Sequence, residues 1–106
     1  MDWDTILQQA IAAAGQSLGK SLSTIAPAAE HSVSLLIQTA QTIAANNATL
    51  EAPEQNMLVN NQKLAMQNVL LGYEDIGILA AEQAVAAAWN VISQALTAAL
   101  GAAIKI

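Results

Sequence analysis

Apolar residues recur at three- and four-residue spacing along most of this chain. The first run comprises Leu7, Ile11, Ala14, Leu18, Leu22 and Ile25. Side chains at this spacing share one face of an α-helix. Asp4 lies just before the run and is a favourable N-cap residue. The pattern therefore predicts a first helix over residues 4–25.

Similar patterns predict three more helices. Pro27 fits the first turn of a helix but not its interior, so a second helix is expected over residues 27–45. A third apolar stripe comprises Met57, Leu58, Leu64, Ala65, Val69 and Leu70. This stripe predicts a helix over residues 54–71. The last and longest helix is expected over residues 76–104.

Turn-forming residues cluster near the middle of the chain. Asn46-Asn47-Ala48-Thr49 leads into Glu51-Ala52-Pro53-Glu54, and we expect the chain to bend over residues 46–53. The alternating β-branched pattern of strands is missing, while Ala, Gln and Leu favour helix. The sequence predicts a single all-α domain, an antiparallel helical hairpin or small bundle with a long uncharged C-terminal helix.

The end of the chain is the segment richest in information about function. Residues 83–104 hold 22 residues without a charge, nine of them Ala. Four polar residues share one side of the predicted helix, with Trp89 on its flank: Asn90, Ser93, Gln94 and Thr97. The apolar residues Val85, Ile92, Leu96 and Ala99 fall roughly opposite. Uncharged polar groups can be buried between subunits at low cost when they are hydrogen-bonded, which favours a subunit interface here.

Small residues mark two further candidate contact points. Gly15 and Gly19 have the Gly-x-x-x-Gly spacing that lets two helix backbones approach closely, and Gly101 lies between alanines in the last helix. Packing within one subunit and packing between subunits both account for this spacing.

The charge composition argues against nucleic acid and anionic lipid as partners. Charged residues make up 10% of the chain, against about 25% in typical soluble domains. The formal net charge is −5, and the cations are three lysines with no Arg. Phosphate recognition draws on Arg forks and Lys clusters, so neither nucleic-acid binding nor a polybasic membrane anchor is expected.

The chain lacks a recognisable catalytic or metal-binding motif. His31 is the only His, no Cys is present, and no Glu-x-x-His element occurs. Asp75 and Glu82 are seven residues apart and are geometrically open as an acid/base pair, but no nucleophile or phosphate-binding loop accompanies them. We expect a non-enzymatic protein without metal or cofactor.

The Asn- and Gln-rich run at residues 60–68 and the Ala-rich tail resemble small helical proteins of bacteriophage virions. That group includes ejection proteins that form a conduit through the host envelope. The chain is also similar to the helical-hairpin needle and rod subunits of secretion systems, which bend at a Pro-containing loop near mid-chain. It departs from those subunits because it lacks their charged C-terminal helix.

Together these features predict a subunit that self-assembles into a ring, tube or bundle. The resemblance implies a virion or a related envelope-spanning machine, with copies of the chain and other machine proteins as partners. Asp2 and Asp4 stand where a secretory signal carries cations, so no signal peptide is expected. The alternative is a membrane-inserting channel, an ejection conduit or holin-like protein, in which the polar side of the last helix faces a lumen.

Overall fold

A computed structural model describes residues 2–100, which form five helices and no strand. These helices are α1 (Trp3–Leu18), α2 (Leu22–Ile25), α3 (Ala28–Ala45), α4 (Ala52–Leu71) and α5 (Ile78–Leu100). The all-α prediction is confirmed. The predicted residues 101–104 of the last helix lie outside the described part of the chain.

The four long helices form a bundle in which each contacts two neighbours at its sides. Around the bundle the order is α1, α5, α4, α3, and α3 also contacts α5 across the centre. The short helix α2 connects α1 to α3 and packs against both. The expected bend is confirmed, because α3 and α4 pack against each other on either side of residues 46–51.

The N-terminus of α1 is capped by Asp2 and not by Asp4. The Asp2 side chain accepts hydrogen bonds from the backbone N–H of Thr5 at 3.2 Å and from its hydroxyl at 2.6 Å. These two hydrogen bonds lower the pKa of Asp2 below its ordinary value. Asp4 lies in the first turn, where its charge suits the positive end of the helix dipole. The helix therefore starts one residue earlier than the pattern predicts.

The predicted helix over residues 4–25 is wrong as a single element. Gly19 has a φ of 82°, in the left-handed region, and its N–H donates to the carbonyl of Gln16. This conformation is the usual glycine C-cap, and it ends α1 at Leu18. Leu22 belongs to the separate helix α2, where it is fully buried. A periodic pattern does not report such a stop, because α2 continues the same apolar spacing.

Two hydrogen bonds fix the starts of α3 and α4. Pro27 precedes α3, and the hydroxyl of Tyr73 accepts a hydrogen bond of 3.1 Å from the N–H of Ala28. This bond ties the start of α3 to the α4–α5 connection. At α4 the Glu54 carboxylate accepts from the backbone N–H of Glu51 at 3.0 Å, as in a capping box. Helix α4 begins at Ala52 because Pro53 fits its first turn.

Small side chains let the helices approach closely at the core. Eight alanines are fully buried: Ala10, Ala14, Ala26, Ala29, Ala40, Ala81, Ala84 and Ala88. The most extensive backbone approach is between α1 and α5, where five of these alanines lie. Larger residues such as Leu36, Ile43 and Leu96 fill the remaining space. The bundle thus depends on close packing of short side chains.

One polar residue, Gln55, lies fully buried on α4 at 0% exposure. Its side-chain amide donates to the carbonyl of Leu50 at 3.2 Å and to the Asn47 side-chain oxygen at 3.3 Å. The Oε1 atom of Gln55 is buried without a hydrogen-bond partner. Gln55 therefore holds the α3–α4 connection against the core through the N–H groups of its amide and not through its oxygen.

Candidate association surface

Both predicted glycine contacts have explanations inside the subunit. A Cβ added at Gly15 would lie 2.7 Å from the carbonyl oxygen of Lys20 and 3.0 Å from the backbone nitrogen of Leu22. Gly15 is buried by the segment that joins α1 to α2, so it has no surface to offer a second helix. Gly19 is the C-cap of α1. Gly101 lies outside the described residues.

The polar side of α5 is exposed to differing degrees. Asn90 and Gln94 are exposed, while Ser93, Thr97 and Trp89 are half-buried. Trp89 packs against the core, and the Ser93 hydroxyl donates to the carbonyl of Asn90 at 3.2 Å.

On the opposite side of α5, Val85, Ile92 and Leu96 are buried, as the helical spacing suggests. Ala99 departs from that pattern, because it is exposed near the end of the helix.

Helix α4 exposes a row of large apolar side chains, two of which, Met57 and Leu64, belong to the predicted apolar stripe that also contains the buried Leu70. Met57 is 58% exposed, Leu64 57% and Leu71 37%. Residues seven apart lie almost above one another on a helix, so these three form one line along α4. The core-facing residues of α4 are instead Gln55, Val59, Met66 and Leu70. The helix is thus apolar on two opposite sides.

Two further exposed apolar side chains lie at the start of α5. Ile78 and Leu79 are 64% and 66% exposed. Within residues 2–100, these two and the three on α4 are the large apolar side chains that are exposed. All five fall between residues 57 and 79, so they are concentrated on two neighbouring helices. Exposed apolar residues gathered in this way mark interaction sites more often than isolated ones do.

A groove of about 360 Å³ runs between α4 and α5 beside this row. Its α4 bank comprises Asn60, Lys63, Leu64 and Gln67, and its α5 bank Glu82, Val85 and Ala86. We call the groove, together with Met57, Leu71, Ile78 and Leu79, the α4–α5 face. Lys63 and Glu82 are the charged residues of the two banks, and neither side chain makes an ion pair or hydrogen bond within residues 2–100.

The described part of the chain gives little support for metal binding, acid/base catalysis or a membrane span. Residues 2–100 hold no group of three His, Asp or Glu side chains placed to bind a metal ion. His31, Asp75 and Glu82 are all exposed, and Asp75 lies in the connection before α5. No helix within those residues is both long and apolar enough to cross a membrane.

Comparisons with protein-family models, with curated proteins and with solved structures give no match to this chain. Function must therefore be inferred from the surface itself. The α4–α5 face has the composition of a surface that binds another apolar surface. It has one cation, one anion and two side-chain amides around its exposed Leu, Ile and Met side chains.

Proposed function

We propose that this protein is a non-enzymatic structural subunit that self-associates through the α4–α5 face. The observation that carries the proposal is the line of Met57, Leu64 and Leu71, which lies opposite the core-facing side of α4. An apolar line on that side is not buried in the folded monomer and therefore does not contribute to its stability. It gains a role when a second surface covers it.

Burial of the exposed apolar residues roughly offsets the cost of association, so the polar contacts around them decide the affinity. Burying the exposed half of a Leu or Ile side chain contributes about 1 kcal/mol. The five exposed apolar residues on each of two copies then contribute about 10 kcal/mol, which is similar to the roughly 4–15 kcal/mol cost of lost translational and rotational freedom. The surrounding Asn and Gln side chains add hydrogen bonds without stranding charge.

The resemblance to helical virion proteins gives the proposal its biological setting. We infer that copies of the chain build a ring, tube or bundle in a phage particle or a similar envelope-spanning machine. Other proteins of that machine are the further partners. The low content of charged residues suits this role, because amide-rich surfaces are easier to bury between subunits than Lys- and Glu-rich ones.

The test is the oligomer mass of Leu64→Glu across a concentration series. A carboxylate in the middle of the apolar row must be desolvated on association, so we expect the mass to fall towards that of the 11.0 kDa monomer. Gln41→Glu is the matched control, because Gln41 is exposed on α3 and the change adds the same charge elsewhere. Native mass spectrometry and light scattering measure the mass, and circular dichroism measures helix content.

Two results would contradict the proposal. The first is a wild-type protein that stays monomeric without detergent up to millimolar concentration. The second is an oligomer whose mass is equally unaffected by Leu64→Glu and by Gln41→Glu. Recovery of the protein only in detergent would instead favour the membrane-channel alternative.

A further inference from the structure

We propose that the occupant of the groove is a second copy of this chain, related by a two-fold axis that runs along the groove. In this arrangement α4 of each copy lies on α5 of the other, and Lys63 of each copy pairs with the partner subunit's Glu82. The inference rests on the proposed self-association and specifies its geometry.

The positions of Lys63 and Glu82 support this two-fold arrangement. Lys63 stands on the α4 bank and Glu82 on the α5 bank of the same groove. Helices α4 and α5 run in opposite directions on either side of residues 72–77, so the two residues are offset by about one helical turn, about 5 Å, which the long Lys side chain can span. A two-fold axis along the groove exchanges the two banks. Each cation then faces an anion of the other copy, twice in one symmetric interface. An axis that stacked α4 on α4 would bring Lys63 towards the partner's Lys63, which like-charge repulsion disfavours.

The rest of the face is self-complementary under the same axis. Leu64 of one copy, on the α4 bank, meets the α5 bank of the other, where the small residue Ala86 and the buried Val85 leave room for it. Leu71 lies near the α4–α5 connection and meets the start of the partner's α5, where Ile78 and Leu79 are exposed. The exposed apolar residues of α4 therefore cover those of α5.

The available area is of the right size for a dimer. Helix α4 has 20 residues, which corresponds to a length of about 30 Å. A face two helices wide is about 20 Å across, so its footprint is about 600 Å². Specific dimers bury about 800 Å² of accessible surface per partner, and accessible area exceeds footprint on a surface of protruding side chains.

Charge reversal tests the pairing. Lys63→Glu lowers the formal net charge of −5 by two units, whereas Glu82→Lys raises it by two units. We expect both single variants to weaken dimerisation about tenfold, although general repulsion between subunits changes in opposite directions. Lys20→Glu matches the charge change of Lys63→Glu at an exposed site outside the groove, and we expect it to dimerise like the wild type.

Mixing the two single variants completes the test, because the Lys63–Glu82 pairing predicts both weakened homodimers and a preferred heterodimer, whereas α4 stacked on α4 does not predict that both single variants weaken. In a dimer of one Lys63→Glu copy and one Glu82→Lys copy, every charge faces its opposite, so this heterodimer should form in preference to either homodimer. Native mass spectrometry separates the species when one variant is isotope-labelled. If Lys63 and Glu82 attract each other within one subunit only, mixing gives no rescue. Charge reversal then changes the unfolding temperature, and the dimer population stays the same.

The outcomes separate the inference from the proposed function. Self-association of the wild type without any response to charge reversal, or without preferred heterodimers, overturns the two-fold geometry and leaves the proposed function standing. A monomeric wild type overturns both. Circular dichroism of each variant shows whether it is folded. Lys63→Gln and Glu82→Gln remove each charge without reversing it and should also weaken the dimer, so they replace any charge reversal that impairs folding.

Discussion

At the scale of single residues, Gln55 is the clearest case of a polar group with a structural task. Its amide N–H groups bind Leu50 and Asn47, while its Oε1 atom is buried without a partner. An unpaired buried oxygen lowers stability by about 1–3 kcal/mol. The two hydrogen bonds from the amide N–H groups to the α3–α4 connection offset this loss. Periodicity does not identify such a residue, because Gln55 occupies a core position that patterns reserve for apolar side chains.

Gln55→Glu should make the stability of the fold depend on pH. Burial raises the pKa of the introduced carboxyl, because the charged form loses its hydration. Below about pH 4 we expect a stability about 1 kcal/mol below that of the wild type, because the protonated carboxyl has one O–H donor in place of two N–H donors. We expect a further loss of about 3 kcal/mol as pH rises through the raised pKa. Urea unfolding at several pH values measures this. Gln41→Glu is the exposed control, and an identical pH profile for the two variants would contradict the buried environment of Gln55.

At the scale of elements, the existence of the helices follows from sequence but their ends and outward faces do not. The helical spacing through Leu22 and Ile25 predicts one helix because α2 keeps the period of α1. Helix α4 is similar, since Leu64 and Leu70 are equally apolar and yet one is exposed and the other fully buried. Only the packing partners, α3 and α5, decide which apolar side of α4 faces inwards.

The break after α1 can be tested by the sign of one substitution. Within a continuous helix, Gly19→Ala would stabilise by about 1 kcal/mol through helix propensity. With Gly19 at a φ of 82°, we expect it to destabilise by about 1 kcal/mol instead. Gly15→Ala should destabilise as well, because the new Cβ meets backbone atoms. Urea unfolding measures these changes, with Ser17→Ala as an exposed control in α1. A stabilising Gly19→Ala would show that residues 4–25 form one helix.

At the scale of the whole molecule, the proposed two-fold contact through the α4–α5 face would close a dimer and nothing larger. A two-fold interface uses the same patch on both copies, so it is saturated once two subunits have met. A ring or tube needs a second contact elsewhere on the subunit. Asn90 and Gln94 are exposed on α5, one helical turn apart, and neither lines the groove. These two side-chain amides are our candidate for that second contact.

Gln94→Lys should therefore reduce a larger assembly to dimers while leaving helix content unchanged. The lysine ammonium must be desolvated at the second contact, whereas Gln94 does not line the groove, so we expect the α4–α5 face still to pair. Leu64→Glu should act differently and shift the mass towards that of the monomer, because it removes the proposed two-fold contact and a contact of two side-chain amides is too small to hold subunits together alone. Native mass spectrometry distinguishes the two products. An assembly of unchanged mass in Gln94→Lys would exclude the polar side of α5, and a wild type no larger than a dimer would restrict self-association to the α4–α5 face.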